Sequence, residues 1–506
     1  MNQFTGSTRR SVIAIAISLA LAFAIPISAL ANVPVTQISE DIYTNATSQH
    51  KTQVEPDTFA FGSTIVAVQQ AGRFFDGGAS NIAWSTSTDD GANWTNGNLP
   101  GITKHDDSAN PYDRVSDPVV AYDAKHGVWM ASTLAITEAQ GGIVGAAVLT
   151  SRSTNGGLTW DNPVTVVAAK GHSNLDKNWI ACDNTPSSQF YGNCYTEWDD
   201  NGQLNKLYMS TSTDGGLTWG RQKGVQGGYH GLGGQPVVQT DGTVCVPYWT
   251  GGTQLGAFRS TNGGQRWNPA VLVANISSHT VAGGLRTSPL PSAEVDGAGK
   301  VYVVWQDSSF RSGGTSNDIV MSTSTDCTTW TSTVRIPIDT VTSGVDHFIP
   351  GIAVDRSTSG SSAHIGITYY YYPDANCTFV NCELMVGYIS SSDGGTTWSA
   401  PTEIAGPMDL SWLPNTSQGR MVGDYISTSY SASGLAHGAF AIAFAPTSGG
   451  SDCAAATPNC DQAMYTTASG QSLAVVSVAE TPVVQNRISM SAAENANENA
   501  AFLTSR

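Results

Sequence analysis

An eight-residue element, Ser-x-Asp-x-Gly-x-x-Trp, recurs along the chain, and an internal repeat of this kind narrows the possible folds more than composition does. It is intact at Ser87–Trp94 (STDDGANW), Ser212–Trp219 (STDGGLTW) and Ser391–Trp398 (SSDGGTTW). Asn replaces Asp at Ser153–Trp160 (STNGGLTW) and Ser260–Trp267 (STNGGQRW). A sixth copy, Ser324–Trp330 (STDCTTW), is one residue shorter and lacks the Gly. An Asp or Asn side chain that accepts backbone N–H bonds from two or three residues on, with Gly supplying a positive φ, makes a tight turn. Strand-like runs such as Asn81–Thr86 and Lys206–Ser210 precede the octets. Each octet is therefore expected to join two strands of a hairpin and to carry no chemistry.

A second mark falls between the octets. Strand, Asp-containing turn and strand recur around Asp123, Asp183, Asp241, Asp296 and Asp355, at steps of 60, 58, 55 and 59 residues. Similar hairpins without the Asp lie at Phe59–Val68 and Ile426–Phe444. Seven units result, each with room for four short antiparallel strands. Repeating such units around an axis leaves few exposed strand edges. The expected fold is all-β: a β-propeller of seven four-stranded blades, or six if the last unit is an extension. Residues 54–470 would form it. Residues 32–53 are a candidate for the ring-closing strand, and 471–506 would supply a C-terminal strand (Ser472–Val478 the alternative closing strand) and a frayed tail.

Residues 1–31 read as an export signal: Arg9 and Arg10, an apolar run from Val12 to Ile25, and Ala29-Leu30-Ala31 as a cleavage site. The mature chain is then expected to be secreted and monomeric, with no membrane association. The eight cysteines fit an oxidising compartment, and proximity pairs Cys182 with Cys194, Cys377 with Cys382 and Cys453 with Cys460, leaving Cys245 and Cys327. With 23 Lys and Arg against 40 Asp and Glu, the formal charge is −17. That balance, with no basic cluster, excludes nucleic acid as the expected partner. No metal or other cofactor is expected.

Within a four-stranded unit, the Asp turns and the octets fall on one face. The strand-entry loops and the remaining hairpin loops fall on the other, so a binding funnel is expected there. Those loops carry Glu55 and Asp57, Arg73 and Asp76, Arg114 and Asp117, Asp176 and Lys177, His230, Arg286, His347, and Arg420, Asp424 and Tyr425. Carboxylates for acid–base work, guanidiniums for bidentate pairing and aromatic faces together suit a hydroxyl-rich glycan, neutral or anionic.

The octet resembles the Asp-box, or BNR, repeat of sialidases and related glycoside hydrolases, over roughly residues 50–470. That resemblance implies a sialidase-like propeller acting on an acidic or complex glycan. The sialidase pattern uses three arginines for the substrate carboxylate, a Tyr nucleophile paired with Glu, and an Asp acid/base. The Phe-Arg-Ile-Pro signature of such enzymes is absent, and Glu55-Pro56-Asp57 stands in that region. The expected catalytic set is Asp117 as acid/base, with Tyr425 or Asp424 attacking or stabilising the anomeric carbon. Arg73, Arg114, Arg286, Arg420, His230, His347, Asp176 and Lys177 are expected to hold substrate. The alternatives are a polysaccharide lyase on a uronic-acid polymer, for which His230, His347 and Tyr425 would matter more, and a non-catalytic glycan- or protein-binding propeller.

Overall fold

The computed structural model describes residues 1, 33–139, 141–448, 450–454 and 459–473. The proposed export signal and most of the proposed C-terminal strand and tail lie outside these residues. The described chain is all-β apart from short 3₁₀ turns.

Strands pair antiparallel in successive sets of four, and the first, second and last sets are joined at their edges, His50–Phe61 pairing in parallel with Asn459–Thr467 and Ala79–Ser87 antiparallel with Arg114–Asp123. The first set is His50–Phe61, Thr64–Arg73, Ala79–Ser87 and Thr95–Asn98. The second is Arg114–Asp123, Val128–Ala139, Gly142–Ser153 and Val164–Ala168. The next four sets begin at Leu175–Cys182, Val237–Val238, Ser292–Val295 and Asp346–Val354. The last comprises Ser427–Tyr430, Ala436–Ser448 and Asn459–Thr467, completed by Val35–Gln37 from the N-terminal end of the chain. The strand beginning at His50 reaches further back than the expected boundary at 54. The opening strands of successive sets pack against one another in chain order, and Ser427–Tyr430 lies against His50–Phe61.

The apolar core lies between neighbouring sheets. Val66, Val68, Ile82, Val120, Trp129 and Leu149 pack between the first two sets, and Tyr195, Met209, Val246 and Phe258 between the third and fourth. The sheets are covered on both faces, so strands such as Ala79–Ser87 are buried throughout rather than alternating with solvent. The octet tryptophans enter these layers. Trp160, Trp267, Trp330 and Trp398 each join the core that their own set shares with the preceding one.

All six octets connect the third strand of a set to the fourth. In the first, Ser87 Oγ donates to Asp89 Oδ1 at 2.8 Å and accepts from Gly91 N at 2.9 Å, while Asn93 N donates to Asp89 Oδ1 at 2.9 Å. The Asp bond thus reaches four residues on, further than the two or three expected. Ser260, Asn262, Gly264 and Arg266 repeat the pattern with Asn. In the shortened copy, Cys327 takes the place of the Gly: at φ 57° its N–H donates to Ser324 Oγ at 2.8 Å. Its sulfur is bonded to Cys245 in the preceding set. The three local pairs, Cys182–Cys194, Cys377–Cys382 and Cys453–Cys460, are also disulfides.

The octets lie at the end of the molecule where the opening hairpins turn: Asp90 N donates to Ser63 O at 2.9 Å, and Ser63 Oγ to Thr88 O at 3.1 Å. Replacing Asp393 by Ala removes acceptors for Thr396 N, Thr397 N and Thr397 Oγ1. At about 1 kcal/mol for a typical bond, discounted for exposure, the loss is expected to be about 1–2 kcal/mol by chemical denaturation. An unchanged midpoint would show that water replaces the octet bonds at no cost.

Candidate functional site

The opposite end of the opening strands holds the charged residues. Three consecutive sets carry the same irregularity there. The pairing slips between Val54 and Asp57, between Ser116 and Val119, and between Asp176 and Trp179. Each bulge contains one non-glycine residue with left-handed backbone: Glu55 (φ 55°), Asp117 (φ 47°) and Lys177 (φ 47°). Such a bulge re-aims a side chain that a regular strand would send elsewhere, and the conformation costs of order 1–3 kcal/mol per residue. Here it turns two carboxyls and one ammonium toward a common point. A fourth bulge, at Ile349 (φ 49°), places an apolar side chain instead.

Lys177 Nζ is the centre of the cluster. It donates to Asp424 Oδ2 at 2.5 Å, Asp117 Oδ1 at 3.2 Å and Glu55 Oε1 at 3.5 Å. Arg286 holds Asp424 from the other side through both carboxylate oxygens, at 2.7 and 2.5 Å. Gln70 links the cluster outward: its Nε2 donates to Glu55 Oε2 and to Ser116 Oγ, and its Oε1 accepts from Arg73 Nη1 at 2.8 Å. Gly423 lets the Asp424 segment approach. It has φ 154°, and a Cβ there would stand 2.7 Å from Tyr425 O and 3.0 Å from Glu55 N.

Glu55, Asp117, Lys177 and Asp424 are all buried, so their protonation is decided by burial and by one another. Burial pushes the Glu55 and Asp117 carboxyls up, against the opposing pull of Lys177. Burial acts on Asp424 too, but the Arg286 guanidinium and the Lys177 ammonium hold it well below the usual carboxylate range. Lys177 is itself raised, because Asp117, Asp424 and Glu55 outweigh its desolvation. Arg73 is lowered to about 10 by burial and by the neighbouring Arg286.

A cavity of about 220 Å³ opens above the cluster, with Glu55, Arg73, Asp76, Asp117, Asp176, Lys177 and Arg286 on its wall. Of the residues expected at the site, Arg73, Asp117, Asp176, Lys177 and Arg286 line this cavity, and Asp424 joins them through Lys177 and Arg286. The other expected residues stand elsewhere. Arg114 is turned away onto Asp76, Glu138 and the Phe74 ring. Arg420 is spent on Asp452 and on Leu413 O. Tyr425 packs beneath the cluster against Trp179, and its hydroxyl donates to Pro118 O at 3.1 Å. Burial raises that phenol well above its ordinary value. His230 Nδ1 meets Leu204 O. His347 is buried against Tyr369 and Tyr371, where desolvation lowers it to about 4. Its neighbours Asp318 and Asp339 are ion-paired to Arg311 and Arg335. Gln70 carried no sequence signal, being an inconspicuous residue within a strand. Glu55 had one: Glu55-Pro56 and Asp117-Pro118 repeat the same dipeptide pattern at equivalent bulges.

Residues 145–350 match the family model described as a BNR repeat-like domain. Four of the six octets, those at Ser153, Ser212, Ser260 and Ser324, lie within the matched span. No curated protein matches the chain. Among solved structures, a Dyadobacter fermentans protein of unknown function is 17% identical with TM-score 0.45, over 71% of this chain and 99% of that one. The NanB sialidase of Streptococcus pneumoniae is 13% identical with TM-score 0.41, over 87% and 71%. A leech intramolecular trans-sialidase is 14% identical with TM-score 0.40, over 85% and 70%. Four disulfides accord with an extracellular setting, and no helix among the described residues is long and apolar enough to cross a membrane.

Removing Lys177 leaves buried carboxyls without their cation, so Lys177→Met is expected to lose about 3–5 kcal/mol of stability at pH 7. Without the ammonium, the folded-state carboxyl pKa values rise further above their unfolded values. The folded form then binds protons first, and its stability falls as pH rises through that interval. Denaturation of Lys177→Met and wild type from pH 7 to pH 4 is expected to show the deficit shrinking on acidification. A deficit independent of pH would mean that Lys177 acts by packing.

Proposed function

We propose that the chain forms a propeller of seven four-stranded blades, closed by Val35–Gln37 on Asn459–Thr467, and that its cavity hydrolyses glycosidic bonds in an exported protein. The strand sets and the return of Ser427–Tyr430 to His50–Phe61 support the ring. One observation carries the chemistry: buried carboxyls sharing a single ammonium are pushed in opposite directions. Pairs of titratable groups whose environments drive them apart mark an acid and an anion side by side. Asp117, on the cavity wall with its carboxyl pushed up by burial, takes the part of the acid toward the leaving oxygen. Asp424, held ionised behind the cavity wall, fixes the positions of Lys177 and Arg286. Glu55 shares the first role through the same ammonium, and Arg73 orients a sugar oxygen. Tyr425 supports the floor, since its hydroxyl is committed to Pro118 O and its proton is held tightly.

The same facts weigh against eliminative cleavage. A lyase needs a free base at the cavity, whereas His230, His347 and the Tyr425 hydroxyl are engaged away from it.

Incubation with a glycan panel is expected to yield new reducing ends without the absorbance of a new C=C bond. Asp117→Asn, folded by circular dichroism and melting, is expected to cut turnover at least about a hundredfold, as loss of an acid–base group does. Wild-type turnover in that variant would remove Asp117 from the reaction. Product absorbance from a C=C bond would make the chain a lyase.

A further inference from the structure

Another cavity, of about 410 Å³, opens at the octet end, between the turns of the opening hairpins. The first set and the third to the last all contribute to its wall, and it shares no lining residue with the cavity above Lys177. Its volume lies within the range of about 300–1,000 Å³ typical of small-molecule sites. Phe59, Glu294 and Arg356 form its floor, because they also line the narrower cavity, of about 40 Å³, behind it.

Arg356 reaches over this floor from the opening hairpin of the sixth set. Its Nη2 donates to Glu294 Oε2 at 3.2 Å, in the fifth set, and its guanidinium carbon lies 5.7 Å from the centre of the Phe59 ring, in the first. The pair is open to solvent: the Arg356 side chain is 38% exposed and that of Glu294 24%. Among the described residues nothing accepts from Arg356 Nε or Nη1, and nothing donates to Glu294 Oε1; Val295 N joins Arg356 on Oε2. Phe61, 44% exposed, stands on the same wall with its ring 4.4 Å from that of Tyr122.

The wall thus combines a polar part and an apolar part. The polar part is an ion pair that presents donors and an acceptor side by side. Hydroxyls on neighbouring carbons accept from a guanidinium and donate to a carboxylate at once, so a diol engages both without separating the pair. The carbon face of a sugar ring suits the two Phe rings. A flat apolar ligand would strip water from the free edges of Arg356 and Glu294 and give nothing back, which is costly.

We infer that the octet-end cavity is a saccharide-binding site. It takes a pyranose whose neighbouring hydroxyls meet Arg356 and Glu294 and whose ring lies on Phe59 and Phe61. The site is independent of the hydrolase reading, which concerns the other end of the strands.

The test is hydrogen exchange read by mass spectrometry on the full mature chain, alone and with lactose, cellobiose, N,N′-diacetylchitobiose or indole. Slower exchange is expected at residues 58–62, 293–297 and 354–358 with at least one of the three sugars. Arg356→Met and Phe61→Ala, checked for wild-type melting, are each expected to weaken that binding at least about tenfold, as loss of an anchoring side chain does. Unchanged exchange in these segments with all three sugars would overturn the inference, and so would slowing that survives both substitutions. Slowing confined to residues 73–78 and 174–177 would also overturn it, leaving the cavity above Lys177 as the sugar site. Slowing by indole and by no sugar would overturn it as well, making the octet-end cavity an apolar pocket.

Discussion

A single ammonium organises the charged end of this protein. Lys177 Nζ reaches carboxyls from three other strand sets: Glu55, Asp117 and Asp424. Each of those carboxyls is buried, and each would be costly alone. Together with Arg286 on Asp424 and Gln70 on Glu55, the ammonium makes a connected network in which every ion has a counter-ion. The network ties the first strand set to the last, because Glu55 lies in the first set and Asp424 precedes the last. The left-handed bulges at Glu55, Asp117 and Lys177 are strained, and the network holds the side chains that they aim.

The repeated turns and the charged cluster lie at opposite ends of the strands. At one end the octets hold their own turns through Ser and Asp or Asn side chains, and they bury a Trp in the layer shared with the preceding sheet. These bonds are local and repeat from copy to copy, so they make a frame that tolerates variation elsewhere. At the other end the equivalent positions differ from set to set: Glu55, Asp117, Lys177 and Ile349 occupy the same bulge. The frame supplies the repeated geometry, and the variation within it supplies an asymmetric site.

The fold was legible because its signals are local. An octet states its turn within eight residues, and the spacing of Asp123, Asp183, Asp241, Asp296 and Asp355 states the repeat. Cys327 shows the same logic, standing where Gly is expected and joining Cys245 across sets. The face of the site was legible too, since strand order alone decides which loops share an end. Partner choice was not. Arg114 and Arg420 look like Arg286 in sequence, yet Glu138 and Asp452, distant in the chain, occupy them. Asp176 and Lys177 are neighbours in sequence, but a bulge turns Lys177 inward while Asp176 stays on the cavity wall. Tyr425 leads its strand as expected, and the register directs its hydroxyl to Pro118 O instead of the cavity.

The central claim is that carboxyls around one ammonium exist in different protonation states at the same pH. Carbon-13 NMR of side-chain carboxyls, titrated in wild type and assigned with Asp117→Asn and Asp424→Asn, reads this directly. The account predicts a carboxyl at Asp117 that titrates above the ordinary carboxylate range, while Asp424 titrates below it. Titration of both together in the ordinary carboxylate range would contradict it.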